Sequence, residues 1–255
     1  MCLILLALQQ HPSYKLILAA NRDEYYDRPS APPAFWNESP GLLAGRDLRS
    51  GGTWLGITKK GRIAAITNYR DPASIKRNAP SRGWLVRDFL VGSEGTMEYL
   101  GKVRQEGGKF NGFNLLVGVR DELCWYSNRS GEIAKLSRGL HGISNRLLDT
   151  PWPKVIRGTQ GISQILGKDV EISTEILFDL LQDRTQASEE ILPDTGVGIE
   201  WERILSPVFI VSPTYGTRSS TLILIDKKDQ VTFIDRTFNS HRQPISSKFT
   251  FTIES

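Results

Sequence analysis

Residues 2–10, CLILLALQQ, and 15–21, KLILAAN, are apolar at successive positions rather than at every second one. Neighbouring side chains of a strand point to opposite faces, so runs of this kind are covered on both sides. Only HPSY separates the two, with Pro12 at a position suited to an early turn residue. An antiparallel hairpin buried on both faces needs a layer above its sheet and another below. That requirement excludes an open one-sided sheet and points to stacked sheets between helices.

The rest of the chain supplies those layers. GGTWLGIT and RIAAITN read as a second hairpin around Lys59–Gly61, followed by helices over SRGWLVRDFLVGS and TMEYLGKVRQ. Short strands come next, at FNLLVGV, ELCWYSN, EIAKLS and LHGISN. PWPKVIRGTQGISQIL and STEILFDLLQD have helical spacing, the second with Ser173 as N-cap. PVFIVS, SSTLILID, QVTFIDRTF and KFTFTIE close the chain as strands, and linker-like sequence is confined to 184–200 and 239–247. Strands at both ends with helices between them predict an α+β layered architecture, with residues 1–255 as one domain.

Several function classes are disfavoured. The apolar run at 3–8 is far short of the roughly 20 residues a membrane span needs, and it lacks the flanks of a signal peptide. Two cysteines, Cys2 and Cys124, give no disulfide framework, which fits a reducing, cytoplasmic location. With His11, His141 and His241 equally dispersed, no metal-ligand spacing is present, and no cofactor is expected. The net charge is +4, and much of the local excess lies in NYRDPASIKRNAPSRG, which reads first as a solvated loop. No nucleic-acid-binding motif accompanies it, and GRDLRSGG lacks phosphate-loop spacing.

Cys2 is the residue with chemical potential. If HPSY is the loop, Gln10 pairs with Lys15, and Cys2 falls opposite Asp23, with Ile4 opposite Asn21. Opposed residues share a face with Cβ atoms about 5 Å apart, so Cys2, Asn21 and Asp23 would cluster, and Arg22 and Glu24 would point the other way. A register slip of one residue exchanges the two sets. A thiol needs a neighbouring cation or base to become a nucleophile. Trimming Met1 would supply the α-amine of Cys2 itself as general base. Asn68 and Asn145 each close a predicted strand, where a side-chain amide can donate to an oxyanion. Trp54, Trp84, Trp125 and Trp152 read as core or pocket walls.

NRDEYYDRP at 21–29, preceded by Cys2, resembles the NRDE family, also called the transport and Golgi organisation protein 2 family. GRDLRSGGTWLGIT, RIAAITNYRDP, SRGWLVRDFL, GISNRLLDTPWPKV and YGTRSSTLILID extend the likeness over almost the whole chain. That family is similar to N-terminal nucleophile hydrolases of the choloylglycine hydrolase kind, which implies a four-layer αββα sandwich of two antiparallel sheets. The resemblance implies Cys2 as nucleophile, Arg22 and Asp23 as its polar partners, Asn68 at the oxyanion and Asn145 as a second asparagine at the site. It also matches Arg218 to a late arginine of the family, and on the residues Arg218 belongs to a basic ligand-binding rim. On the residues, Asn21, Glu24 and Arg70 join that rim. Two functions follow: Cys2-dependent hydrolysis of a carbon–nitrogen amide bond in a small molecule, or binding and trafficking of a haem-like, acyl-lipid or acyl-CoA ligand in the same pocket.

Overall fold

The computed structural model describes residues 2–167, 172–239 and 242–254. The leading run forms β1 (Cys2–Leu8) and β2 (Tyr14–Tyr25). β3 (Ser30–Trp36), β4 (Ser39–Asp47), β5 (Leu55–Thr58) and β6 (Arg62–Asn68) follow. Then come α1 (Gly83–Val91), α2 (Thr96–Glu106), β7 (Phe113–Val119), β8 (Glu122–Ser127), β9 (Ile133–Lys135) and β10 (Gly139–Ile143). α3 (Pro153–Leu166), α4 (Thr174–Leu181) and α5 (Ile199–Ile204) precede β11 (Tyr215–Asp226), β12 (Gln230–Asn239) and β13 (Arg242–Thr252).

These strands make two antiparallel sheets, one ordered β10-β1-β2-β11-β12-β13 and the other β3-β4-β5-β6-β7-β8-β9. The doubly apolar strands explain how they stack. Ile4, Leu6, Leu8, Leu16 and Leu18 meet Leu43, Ile57, Ile63 and Trp125 of the second sheet in the central core. The alternate set, Leu3, Leu5, Ala7, Ile17 and Ala19, packs under Val155, Ile162, Leu177 and Phe178 of α3 and α4. The second sheet repeats the pattern, with Ala64, Ile66, Leu115 and Val117 beneath Val86, Phe89 and Leu100 of α1 and α2. The result is the α+β, four-layer αββα sandwich.

Three local readings are corrected. Cys2 lies opposite Arg22 and Leu3 opposite Asn21, one residue away from the expected register. Gln9 adopts a positive φ of 52° and its N–H reaches the Lys15 carbonyl, so Leu8 pairs with Leu16 and the connection is longer than HPSY. Residues 207–212, PVFIVS, form no strand, with 207–210 buried and Val211 exposed. The Phe209 N–H donates to the Asp183 carbonyl, the Ile210 N–H to Thr217 Oγ1, and the Val208 carbonyl accepts from Asn21. Of the stretch 239–247 expected as linker, residues 242–247 belong to β13, while 240–241 lie outside the described residues. β3 and β4 were not expected at all. β3 carries Pro32 and Pro33, which it tolerates as an edge strand with a register shift between Ala31 and Ala34. Among the described residues no helix is long and apolar enough to cross a membrane.

Candidate active site

Beyond Ala20, β2 leaves the apolar core and its period of two sorts the next four residues. Asn21 and Asp23 turn to the helix side, while Arg22 and Glu24 turn to a cleft of about 460 Å³ at the end of the sandwich. Cys2, opposite Arg22, opens into this cleft. Trp54 forms one wall, with the Arg22 guanidinium 4.3 Å from its ring centroid. Asn68, at the end of β6, lies on the same lining, as do Arg28, Asp47, Arg49, Arg77 and Arg82.

The electrostatics around Cys2 oppose spontaneous ionisation. Burial pushes its thiol up, and the neighbouring Asp23 carboxylate adds to that. The Arg22 guanidinium and the Asp23 backbone N–H pull the other way without reversing it. Asp23 is itself buried, and burial raises its carboxyl, against the pull of Lys154, a hydrogen bond from Thr217 Oγ1 at 2.7 Å and Arg22. Its backbone carbonyl accepts from the Tyr215 hydroxyl at 2.9 Å. Lys154, on the first turn of α3, is 2% exposed. Burial lowers its ammonium to about 8, against the attraction of Asp23. The attraction between the two acts through space, since Lys154 Nζ has no hydrogen-bond partner among the described residues.

Of the residues expected at the site, Cys2, Arg22, Glu24 and Asn68 line the cleft, and Asp23 borders it while its carboxylate is turned to Thr217. Asn145 is fully buried behind it. Its Nδ2 donates to the Asn68 carbonyl at 2.9 Å and its own carbonyl accepts the Arg70 N–H. The adjacent Ser144 hydroxyl donates to the Cys2 carbonyl at 3.3 Å, so this segment braces both the cysteine strand and Asn68. Asn21 is buried on the helix side, donating to the carbonyls of Leu181 and Val208 and accepting from Ser220. Arg70 turns inward to an ion pair with Glu202 and lies against Trp152. Arg218 occupies a bulge in β11 and donates to the carbonyls of Tyr25, Tyr26 and Arg28. None of Asn145, Asn21, Arg70 or Arg218 forms part of the cleft lining.

Two polar groups near the site escaped the sequence reading. Lys154 shares the buried face of α3 with Val155, Gly158 and Ile162, so a lysine on an apolar stripe was the available signal. Asp235 takes the inward position after Val231 and Phe233 on β12. It is 1% exposed, accepts from Thr221 and Thr237 at 2.7 and 2.8 Å, and burial raises it to about 6. The signal there was an acid in an alternating apolar strand.

The four-layer αββα sandwich of two antiparallel sheets is the fold of N-terminal nucleophile hydrolases. Solved structures with this fold include a mutant of the conjugated bile acid hydrolase of Clostridium perfringens. It has a TM-score of 0.54 and 10% identity, covering 100% of this chain and 97% of that one. The N-acylethanolamine-hydrolyzing acid amidase ortholog of Caenorhabditis elegans gives a TM-score of 0.51 at 11% identity, over 88% and 92% of the two chains. The chain belongs to the Transport and Golgi organisation 2 family, whose profile matches residues 1–240. The Transport and Golgi organization protein 2 homologs of Bos taurus and Homo sapiens are 38% and 37% identical, each over 92% of both chains. The Drosophila melanogaster protein is 28% identical over 93% of this chain and 92% of its own.

Proposed function

We propose that this chain is a cysteine hydrolase that cleaves a carbon–nitrogen amide bond in a small molecule, with Cys2 as nucleophile once Met1 is removed. The observation that carries the reading is the meeting of Cys2, Arg22 and Asn68 on one cleft. Burial that holds the Cys2 thiol protonated makes a local base necessary. The α-amine of a trimmed Cys2, with an ordinary pKa of about 7.7–8.0, is that base. It takes the thiol proton as the sulfur bonds to the substrate carbonyl carbon, and the carbonyl π pair moves to oxygen. Asn68 and a backbone N–H stabilise that oxyanion. The C–N bond then breaks, the amine leaves with the proton, and water cleaves the thioester to release the acid and restore the thiol.

Two mass measurements test this. Protein isolated from cells lacks Met1, and incubation with an amide or β-lactone probe leaves an acyl adduct on Cys2 that Cys2→Ala abolishes. Complete retention of Met1, or an adduct that survives in Cys2→Ala, overturns the proposal. Asn68→Ala lowers kcat by about 100-fold, the effect of losing one preorganised donor. The binding-only function draws on the same cleft. A Soret shift on haem titration with no acyl adduct would favour it instead.

A further inference from the structure

We infer that the molecule taken by the cleft carries an oxyanion group, a carboxylate or phosphate, held by Arg22 and Arg82 beside the Cys2 sulfur. That the molecule is also an amide rests on the hydrolase reading; the anion site does not.

The cleft lining holds five arginines and three carboxylates, and the carboxylates are already engaged. Arg28 takes Asp47 at 2.6 Å and Glu24 at 3.6 Å. The other Asp47 oxygen accepts the N–H groups of Arg49 and Ser50. Asp23 is turned to Thr217 and the field of Lys154. Among the described residues, Arg22, Arg49, Arg77 and Arg82 form no ion pair with any carboxylate. Four guanidinium groups therefore line one cavity with no carboxylate in ion-pair contact.

Two of them are built in rather than draped over a surface. Arg22 is 6% exposed, lies against Trp54, and its Nη1 has no hydrogen-bond partner among the described residues. A buried charge with an unused donor is costly unless a ligand completes it. Arg82 donates Nη1 to the Gly112 carbonyl at 2.9 Å, which fixes the guanidinium while leaving its other donors. It lies within the electrostatic field of both Cys2 and Glu24. Its backbone is anchored as well. A Cβ at Gly52 would stand 2.6 Å from the Gly83 carbonyl carbon, so only glycine admits this contact, and the Thr53 N–H donates to the Gly83 carbonyl. A fixed planar fork is suited to two-point recognition of a carboxylate or phosphate. Arg49 and Arg77, both exposed, extend the positive field to the mouth of the cleft, where it would steer an anion inward.

The test compares three amides that share one acyl chain: N-octanoylglycine, N-octanoyl-O-phosphoethanolamine and the uncharged N-octanoylethanolamine. Each is titrated by calorimetry into Cys2→Ala protein, so binding is read without turnover. At least one anion binds about tenfold more tightly than the neutral amide, and the advantage shrinks as salt is raised. The stronger of the two identifies the oxyanion. Arg82→Gln brings the anions to the level of the neutral amide, and Arg82→Lys retains part of the preference. If Arg82→Gln fails to fold, the exposed Arg77→Gln is used, with a smaller loss of the same preference. Equal binding of all three amides, or loss of affinity by the same factor for all three in the Arg82→Gln protein, overturns the inference. An anion preference without any acyl adduct on wild-type Cys2 leaves the anion site standing and removes the hydrolase reading. An adduct without an anion preference does the reverse.

Discussion

Lys154→Met is the substitution that most directly probes the charge balance behind the cleft. The folded ammonium titrates at about 8 against an ordinary 10.5, because burial disfavours its charged form. Below the lower value the lysine is protonated in both states, and its buried charge weighs against folding. Between the two values the unfolded chain holds a proton that the folded chain lacks, so stability rises with pH. From about pH 6.5 to about pH 9.5 that rise amounts to about 2 kcal/mol. Methionine cannot titrate, so the variant lacks the rise. Urea unfolding at the two pH values, in a Cys2→Ala background that removes the thiol titration, gives both slopes. Subtracting one from the other cancels Tyr99 and Tyr215, whose phenols burial pushes up in both proteins. Parallel profiles for the Cys2→Ala parent and its Lys154→Met derivative would refute the account of a desolvated ammonium beside Asp23.

Glu202→Gln strips the carboxylate from the buried Arg70–Glu202 pair, and it also weakens the acceptor for the Thr195 N–H and hydroxyl. Leaving that guanidinium without its counter-charge costs about 3–5 kcal/mol, or a fall in Tm of roughly 10 °C. A thermal melt within about 2 °C of the parent would contradict this. Asp235 behaves in the opposite sense to Lys154, since its folded value of about 6 lies above the ordinary 3.8. Folded protein holds the proton longer, so wild type loses about 3 kcal/mol as pH rises through that window, and Asp235→Asn does not. Urea unfolding at about pH 4 and about pH 7, between which about 2.4 kcal/mol of that loss falls, checks the difference.

The layers were legible because burial on both strand faces is written directly in CLILLAL and KLILAAN. The register was not, because it turned on one backbone angle at Gln9, a residue with no turn signature of its own. Apolar content misled at PVFIVS, where it reports the burial of 207–210 and the backbone partners come from Asp183, Thr217 and Asn21. Prolines concealed β3, since an edge strand can do without the N–H groups they lack. At the site, the motif positions were legible one by one, but the side each takes was not. Arg70 looked like a rim residue because its partner, Glu202, lies 132 positions away. Lys154 carried no local signal of its role, because Asp23, the carboxylate that attracts it, is brought near only when α3 packs on the first sheet.

The division within NRDE accounts for four successive polar residues on a strand whose preceding positions are buried and apolar. Asn21 closes the helix side, tying β2 to the end of α4, to residue 208 and to Ser220. Asp23 continues on that side to Thr217. Arg22 and Glu24 emerge on the other side, against Trp54 and Arg28. The bulge at Arg218 keeps this division intact: Thr217 faces Asp23 and Ser219 faces Arg22, while the extra residue swings out to the carbonyls of Tyr25, Tyr26 and Arg28. A one-residue slip of β1 against β2 would set Cys2 opposite Asp23, on the helix side and away from Trp54. The alternation of apolar contacts at Leu3, Leu5 and Ala7 with those at Ile4, Leu6 and Leu8 does not forbid that slip, because both sets are apolar. The polar tail of β2 specifies that strand's own facing, since only the observed one gives Asn21 and Asp23 the partners on α4 and β11 that their burial demands, and the turn at Gln9 then sets β1 against it.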